Sequence, residues 1–368
     1  MASLTERMLK LGAKGTSELS DTLDKTKFLN GVAEYPTPVR AINIALSGRI
    51  DGGLTSGLLI IAGKSRHFKT TYGLICVKTF LDANPDGICL FYDNEFGAAL
   101  KYFESVGIDP SRVVHIPISN IEELKRDISI KTSATEEGAI KRGEKVIIFV
   151  DSIGNLASIK EVRDAENEND AADMTRAKAL KSMFRIITPR ARILDIPMIM
   201  INHVYDGQGM YATTTMSGGQ GPMLSANEVW FIGKAQEREG TEVVGFTFTI
   251  NIEKGRRVKE KSKIPIKVRF DGGISPWSGM YEIAMAMGYI TIPSRGWRTR
   301  PHIPGDKKWQ ESEIFQNEDA FFSELIAKTD FAEAIAKKYQ LSTGKLINTY
   351  EDEEPTPEDF EDIEDVAT

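Results

Sequence analysis

The chain changes character at Ile42. Beyond it, short apolar runs alternate with longer segments whose apolar positions recur every three or four residues. The runs are GLLIIAG (57–63), GICLFYD (87–93), VVHIPI (113–118), KVIIFVD (145–151) and PMIMINH (197–203). Segments 69–82, 97–106, 121–141 and 173–188 read as the helices between them. Unbroken apolar runs predict strands buried on both faces. Their alternation with helices predicts an α/β fold with a mostly parallel central sheet covered on both sides. EVWFIGK (228–234), GFTFTINIEK (245–254) and KIPIKVRF (263–270) have no helices between them and predict antiparallel strands extending that sheet.

Upstream, Leu4–Leu11 and Leu19–Leu29 predict short helices, and YPTPV, with Pro36 and Pro38, marks a linker. Downstream, residues 279–346 mix helix (283–287, ended by Gly288), strand (YITIP) and helix (320–339). The end, EDEEPTPEDFEDIEDVAT, has the composition of a disordered tail. The chain thus divides into a small N-terminal segment with its linker (1–36), a core (37–278), a small C-terminal α/β domain (279–348) and an acidic tail (349–368). It has no internal repeat.

With 368 residues, 41% of them hydrophobic, the chain can bury a large core. Cys76 and Cys89 sit in apolar runs and read as small buried hydrophobes in a reducing compartment. The N-terminus lacks the apolar stretch of a signal peptide. No run approaches the roughly 20 apolar residues of a membrane helix, so a soluble, cytoplasmic protein with no membrane partner is expected. The net charge of −7 argues against a nucleic-acid binder until its distribution is considered. Residues 351–365 hold ten acids and no base, which leaves +3 on the rest, and Lys254–Arg269 holds eight bases and one acid. A basic segment on a mildly basic body suits contact with nucleic acid.

The strand at 57–63 runs into Gly63-Lys64-Ser65-Arg66-His67-Phe68-Lys69-Thr70, followed by a helix, and these residues with Thr71 are the nucleotide-binding candidates. This is nearly the phosphate-loop spacing, in which backbone N–H groups cradle phosphate oxygens. Lys69 is placed for the β- and γ-phosphates of ATP, and Thr70 for Mg²⁺. Phe68 stands where the second glycine belongs, so its backbone must fit the loop and its ring must point away from the nucleotide. The plain alternative is an ordinary strand–turn–helix with a surface lysine. Asp151, at the tip of KVIIFVD, fits the second metal-orienting carboxylate, or else caps the following turn. Asp93 and Glu95 follow another strand tip. Glu95 is placed to orient and activate water, and Asp93 reads as less clear, with a structural role open.

GKSRHFKT, YDNEFG, VIIFVDSIGNLAS and MIMINHVYD, followed by a Gly/Thr loop, together resemble the RecA recombinase core. Within it, INIALSG (42–48), DMTRAKALKSMFRI (173–186), SGGQGP (217–222) and EKGRRVKEKSK (253–263) resemble the UvsX recombinases of T-even phages. The resemblance covers about residues 40–300. It implies a RecA-type P-loop ATPase fold, with residues 1–36 acting in assembly. It makes Glu95 the catalytic glutamate. Tyr102 falls where a tyrosine stacks on adenine, with a core aromatic as the alternative. His203 falls at a γ-phosphate sensor, and Lys254 and Arg256 at a pair reaching the neighbouring subunit's γ-phosphate.

The resemblance also implies two DNA-binding loops, 157–172 and 204–217, which are expected to be irregular. The second offers Gly207, Gly209, Met210, Tyr211, Thr213, Thr214 and Thr215, followed by Gly218 and Gly219, for phosphate contact and base stacking. The first holds Lys160 and Arg163 among five acids and suits phosphate less well. Arg176 and Lys178 are expected to contact the DNA backbone.

The implied function is an ATP- and Mg²⁺-dependent recombinase that filaments on single-stranded DNA and pairs it with homologous double-stranded DNA. It would act in recombination, repair and recombination-dependent replication, beside single-strand-binding and mediator proteins. If phage-encoded, it would work in the host bacterial cytoplasm. A RecA-like helicase motor and a non-hydrolysing mediator are the rival readings.

Overall fold

Alternate residues of each central strand enter different cores. In β1 (Gly57–Gly63), Leu59 and Ile61 join one apolar cluster while Leu58, Ile60 and Ala62 join the other. The same division splits β4 (Val146–Asp151) and β5 (Pro197–Asp206). A strand sandwiched in this way can carry no polar face, hence the unbroken apolar runs. The computed structural model describes residues 3–12, 16–26, 28, 32–98, 100–167, 175–207 and 214–341.

Short helices α1 (Leu4–Lys10) and α2 (Thr16–Leu19) precede α3 (Arg40–Ser47), which packs on the first cluster. After β1 come α4 (Lys69–Ala83), β2 (Ile88–Asp93), α5 (Leu100–Val106), β3 (Val113–Pro117), α6 (Ile121–Lys131) and β4. Then follow α7 (Ile159–Glu166), α8 (Thr175–Leu194), β5, β6 (Thr214–Met216) and α9 (Gln220–Ser225). The sheet order is β3-β2-β4-β5-β1-β7-β8-β9, with β6 paired to β5. Strands β7 (Glu228–Glu239), β8 (Glu242–Lys254) and β9 (Lys263–Arg269) complete it, the last two pairings being antiparallel. Helix α4 covers one face, and α6 and α8 cover the other.

Residues 280–341 form α10 (Met280–Ala286), a three-stranded sheet of β10 (Thr291–Ser294), β11 (Trp297–Thr299) and β12 (Trp309–Gln310), then α11 (Glu311–Gln316), α12 (Glu318–Lys328) and α13 (Phe331–Tyr339). Their buried residues, among them Phe321, Phe322 and Phe331, belong to the same cluster as α3 and α4. Gly279 (φ +83°) marks the junction, where a Cβ would lie 1.9 Å from the Pro265 carbonyl oxygen. Only glycine permits that approach.

Several expectations shift. Helix 121–141 stops at Lys131, and Gly138 and Gly143, at φ +80° and +102°, turn the chain afterwards. Helix 173–188 runs on to Leu194 despite Pro189. Segment 320–339 is two helices, divided where Thr329 Oγ1 bonds the Leu325 carbonyl and accepts from Phe331 N. Segment 19–29 yields only the end of α2 and a turn among its described residues. The supposed loop 157–172 contains α7, started by a capping box between Ser158 and Glu161. Loop 204–217 is a hairpin at both ends, with Val204 opposite Met216 and Asp206 opposite Thr214. The tail from 349 lies outside the described residues.

At the start of β7, Arg257 binds Glu34 (2.7 Å), the Gly53 carbonyl (2.8 Å) and buried Glu228 (3.4 Å), whose second oxygen has no partner among the described residues. Burial pushes the Glu228 carboxyl up to about 7, against the pull of Arg257. The native state therefore holds a proton that the unfolded chain releases at lower pH. This contribution to stability is full below the unfolded value and is lost as pH rises through about 7. A Glu228→Gln variant lacks that loss. Its unfolding free energy relative to the parent should rise between about pH 5 and 8 in denaturant titrations, and a pH-independent difference would refute the buried-acid account.

Candidate active site

Register brings the strand tips together. Gly63 lies beside His203 and Asp93 beside Asp151, all at the edge of the parallel strands where ligands bind in such sheets. The loop after β1 wraps the start of α4. Lys69 is buried, and its Nζ donates to the Lys64 carbonyl (2.9 Å). Burial lowers its pKa, while Glu95 and Asp151 oppose that shift.

Phe68 has φ +61° and ψ 15°, a left-handed conformation suited to glycine. Its ring stacks on Phe248 (5.0 Å between centroids) and meets the edge of Tyr72. The aromatic core thus holds the side chain while the backbone takes the shape the loop needs. Arg66 (φ +60°) is a second left-handed residue, braced by a hydrogen bond from Lys234 to its carbonyl (3.3 Å).

Thr70 Oγ1 donates to Asp151 Oδ2 (2.7 Å), and buried Asp151 Oδ1 has no partner among the described residues. Burial, with Glu95 and Asp93 nearby, pushes Asp151 up to about 6. A hydroxyl and a carboxylate with an unpartnered oxygen are hard donors of the kind Mg²⁺ takes. The residues fit that ion.

Glu95 follows β2. Its Oε1 meets Ser152 Oγ (2.5 Å), Asn155 Nδ2 (2.9 Å) and His203 Nε2 (3.0 Å). The His203 bond, aided by Ser152 against burial, holds Glu95 below the usual carboxylate range. Asp93 accepts from the N–H groups of Glu95 (3.0 Å) and Phe96 (2.8 Å), so it shapes the turn that presents Glu95. A cavity of about 570 Å³ joins these groups. Ser65, Arg66, His67, Phe68, Lys69 and Thr70 line it, with Glu95, Tyr102, Asp151 and His203 opposite. Tyr102 hydrogen-bonds Thr71, packs against the first apolar cluster and also lines the cavity. Lys64 points outward and pairs with Asp206 (2.5 Å).

Lys254 and Arg256 are not part of this cavity. Lys254 lies opposite Val229, which pairs with Ile60, three residues back from Gly63. Its Nζ donates to the Met223 and Leu224 carbonyls (both 2.9 Å), and Arg256 is exposed.

On the nucleic-acid side, Thr214 and Thr215 belong to the hairpin, while Gly207 and Lys178 are exposed. Gly218 (φ +88°) packs against Leu180, and Gly219 precedes α9. Gly209, Met210, Tyr211 and Thr213 lie outside the described residues. Arg176 lies near the start of α8. Its guanidinium is engaged within the chain, by the carbonyls of Ile153, Gly154 and Leu156 and by Ser217 Oγ.

Sequence reasoning passed over Ser152 and Asn155, although both lie in the polar SIGN stretch just past Asp151. It also passed over the cavity wall of Lys234, Phe246 and Phe270. Lys234 reaches that wall through its pairing with Phe248, and antiparallel register leaves no mark in the sequence.

A family profile described as the C-terminal domain of the bacteriophage T4 recombination and repair protein matches residues 277–335. The recombination and repair protein of Enterobacteria phage T4 is 44% identical over 349 residues, covering 93% of this chain and 87% of that protein. Protein RecA of Tropheryma whipplei is 26% identical over 264 residues, covering 69% of this chain and 56% of that protein. A crystal structure of the RadB recombinase overlaps 61% of this chain and 92% of its own, at 19% identity and a TM-score of 0.42.

The left-handed backbone at Phe68 is testable by paired substitutions. Phe68→Ala loses the ring and keeps the strain; Phe68→Gly loses the ring and relieves it. The glycine variant should be the more stable of the two by about 1 kcal/mol in denaturant unfolding. Equal stabilities would contradict that conformation.

Proposed function

This chain is a RecA-family recombinase, of the kind represented by the T4 recombination and repair protein, and we propose that it binds and hydrolyses ATP with Mg²⁺ while filamented on single-stranded DNA. The observation that carries this reading is the Thr70–Asp151 pair, with its unpartnered oxygen, between buried Lys69 and Glu95. In this scheme the loop N–H groups and Lys69 bind the triphosphate. Thr70 and Asp151 hold Mg²⁺, which neutralises phosphate charge when bound. Glu95 orients water and accepts its proton as the water oxygen bonds to the γ-phosphorus and the bond to ADP breaks. Ser152 and Asn155 keep its carboxylate aimed. His203 touches Glu95 and sits at the foot of the hairpin, which suits a sensor of the γ-phosphate.

Tyr102 forms the wall for the base. Lys254 and Arg256, on the edge away from their own phosphate loop, serve the neighbouring subunit's nucleotide in trans. The solvent-facing Leu4, Met8 and Leu11 of the N-terminal segment favour the same assembly. Single-stranded DNA binds along the hairpin, and the filament pairs it with homologous duplex, aided by single-strand-binding and mediator proteins. Affinity resides mostly in phosphate contacts. No helix among the described residues is long and apolar enough to cross a membrane.

Two variants test the scheme. Glu95→Gln keeps the hydrogen-bonding shape and loses the base. DNA-stimulated hydrolysis should fall by about a hundredfold or more while ATP still binds; hydrolysis equal to the parent would remove Glu95 from its role. Lys69→Ala should abolish ATP-dependent filaments on single-stranded DNA in electron micrographs, and unaltered filaments would defeat the phosphate-loop assignment.

A further inference from the structure

Arg176, near the start of α8, reaches two places at once. Nε donates to the Leu156 carbonyl (2.8 Å), and one terminal nitrogen donates to the carbonyls of Gly154 (2.7 Å) and Ile153 (3.1 Å). These acceptors belong to the turn carrying Ser152 and Asn155, two of the three groups on Glu95 Oε1. The other terminal nitrogen donates to Ser217 Oγ (3.2 Å). Ser217 is buried at the foot of the β5–β6 hairpin. Its N–H donates to the His203 carbonyl (2.9 Å), and its own carbonyl accepts from Asn202 (3.0 Å).

One guanidinium therefore ties the hairpin foot to the turn that aims Glu95. The packing there is tight, since a Cβ on Gly154 would lie 2.4 Å from His203 Cδ2. The turn and the His203 strand tip cannot shift independently. A planar fork demands directed acceptors, and a small displacement of Ser217 weakens its bond steeply.

We propose that Arg176 is a positioning residue that couples the β5–β6 hairpin to Glu95 through Ser217, so that DNA on the hairpin sets the rate of hydrolysis. The proposal rests on the nucleic-acid reading of the hairpin and adds a route that does not pass through the His203 side chain. A lysine cannot span these acceptors, because its ammonium is a single point of charge on a flexible stem. Ser217→Ala cuts the link at its hairpin end, together with the direct bond from Ser217 Oγ to the Gly154 carbonyl (3.3 Å), and leaves the Arg176 contacts to the turn in place.

The test compares the parent, Arg176→Lys and Ser217→Ala as full chains at saturating single-stranded DNA. The readout is the ratio of DNA-stimulated to DNA-free ATP hydrolysis. Saturation removes any effect of weaker DNA binding, and circular dichroism reports folding. The ratio should fall at least about fivefold in each folded variant. Should Arg176→Lys fail to fold, an unchanged Ser217→Ala ratio still overturns the coupling, since that variant removes every bond of the Ser217 hydroxyl to the turn. A stimulated parent with an unchanged Ser217→Ala ratio overturns this coupling and leaves the ATPase reading standing. A parent that DNA does not stimulate overturns both.

Discussion

An ammonium group withdrawn from water between two carboxylates sets the terms for the whole site. Lys69 is desolvated, and Asp151 and Glu95 offset that cost only in part. Asp151 is itself held up by burial and by its acidic neighbours. Charges confined in this way are strongly felt, because little water screens them. A ligand that brings phosphate oxygens to Lys69 and a cation to Asp151 relieves both strains together. An anion and a metal arriving as one unit, as the proposed function has it, would suit the site.

That arrangement depends on the sheet more than on the loops. Gly63, Asp93, Asp151 and His203 come from four strands, and parallel register brings their tips to one edge. Both cores lock the register, since a one-residue slip would send every inward side chain to the opposite face. Phe68 extends the principle into the loop. A left-handed backbone at a bulky residue is tolerated because stacking on Phe248 holds the ring in the core.

Much of this was legible in the chain. Apolar runs and their spacing gave the strands of the central sheet, and the Gly63–Thr70 spacing with Asp151 and Glu95 located the cavity. What escaped was whatever depends on partners distant in sequence. Ser152 and Asn155 acquire meaning only once Glu95 is folded against them. Arg176 looked like a phosphate contact because an arginine near a DNA-facing loop reads that way. Four acceptors from two separate turns claim its guanidinium, and no local pattern announces them. Helix α7 was missed because its acid-rich sequence buries nothing; a capping box, not a hydrophobic face, starts it.

The basic segment after β8 shows why one copy of the chain is an incomplete machine under the proposed mechanism. Lys254 is aligned with a residue about 10 Å back along β1 from the phosphate loop and two strands to the side. Its ammonium is turned onto the carbonyls that end α9. Arg257, next to Arg256, is anchored to Glu34 and so fixes where Arg256 emerges. Cations held there do not line the cavity of their own Lys69. A repeating contact that joins the two edges of successive copies would bring them to a phosphate loop, and a contact that joins one edge of a subunit to the other edge of the next propagates without closing by twofold symmetry. Under that mechanism the placement of these cations would link nucleotide chemistry to filament growth.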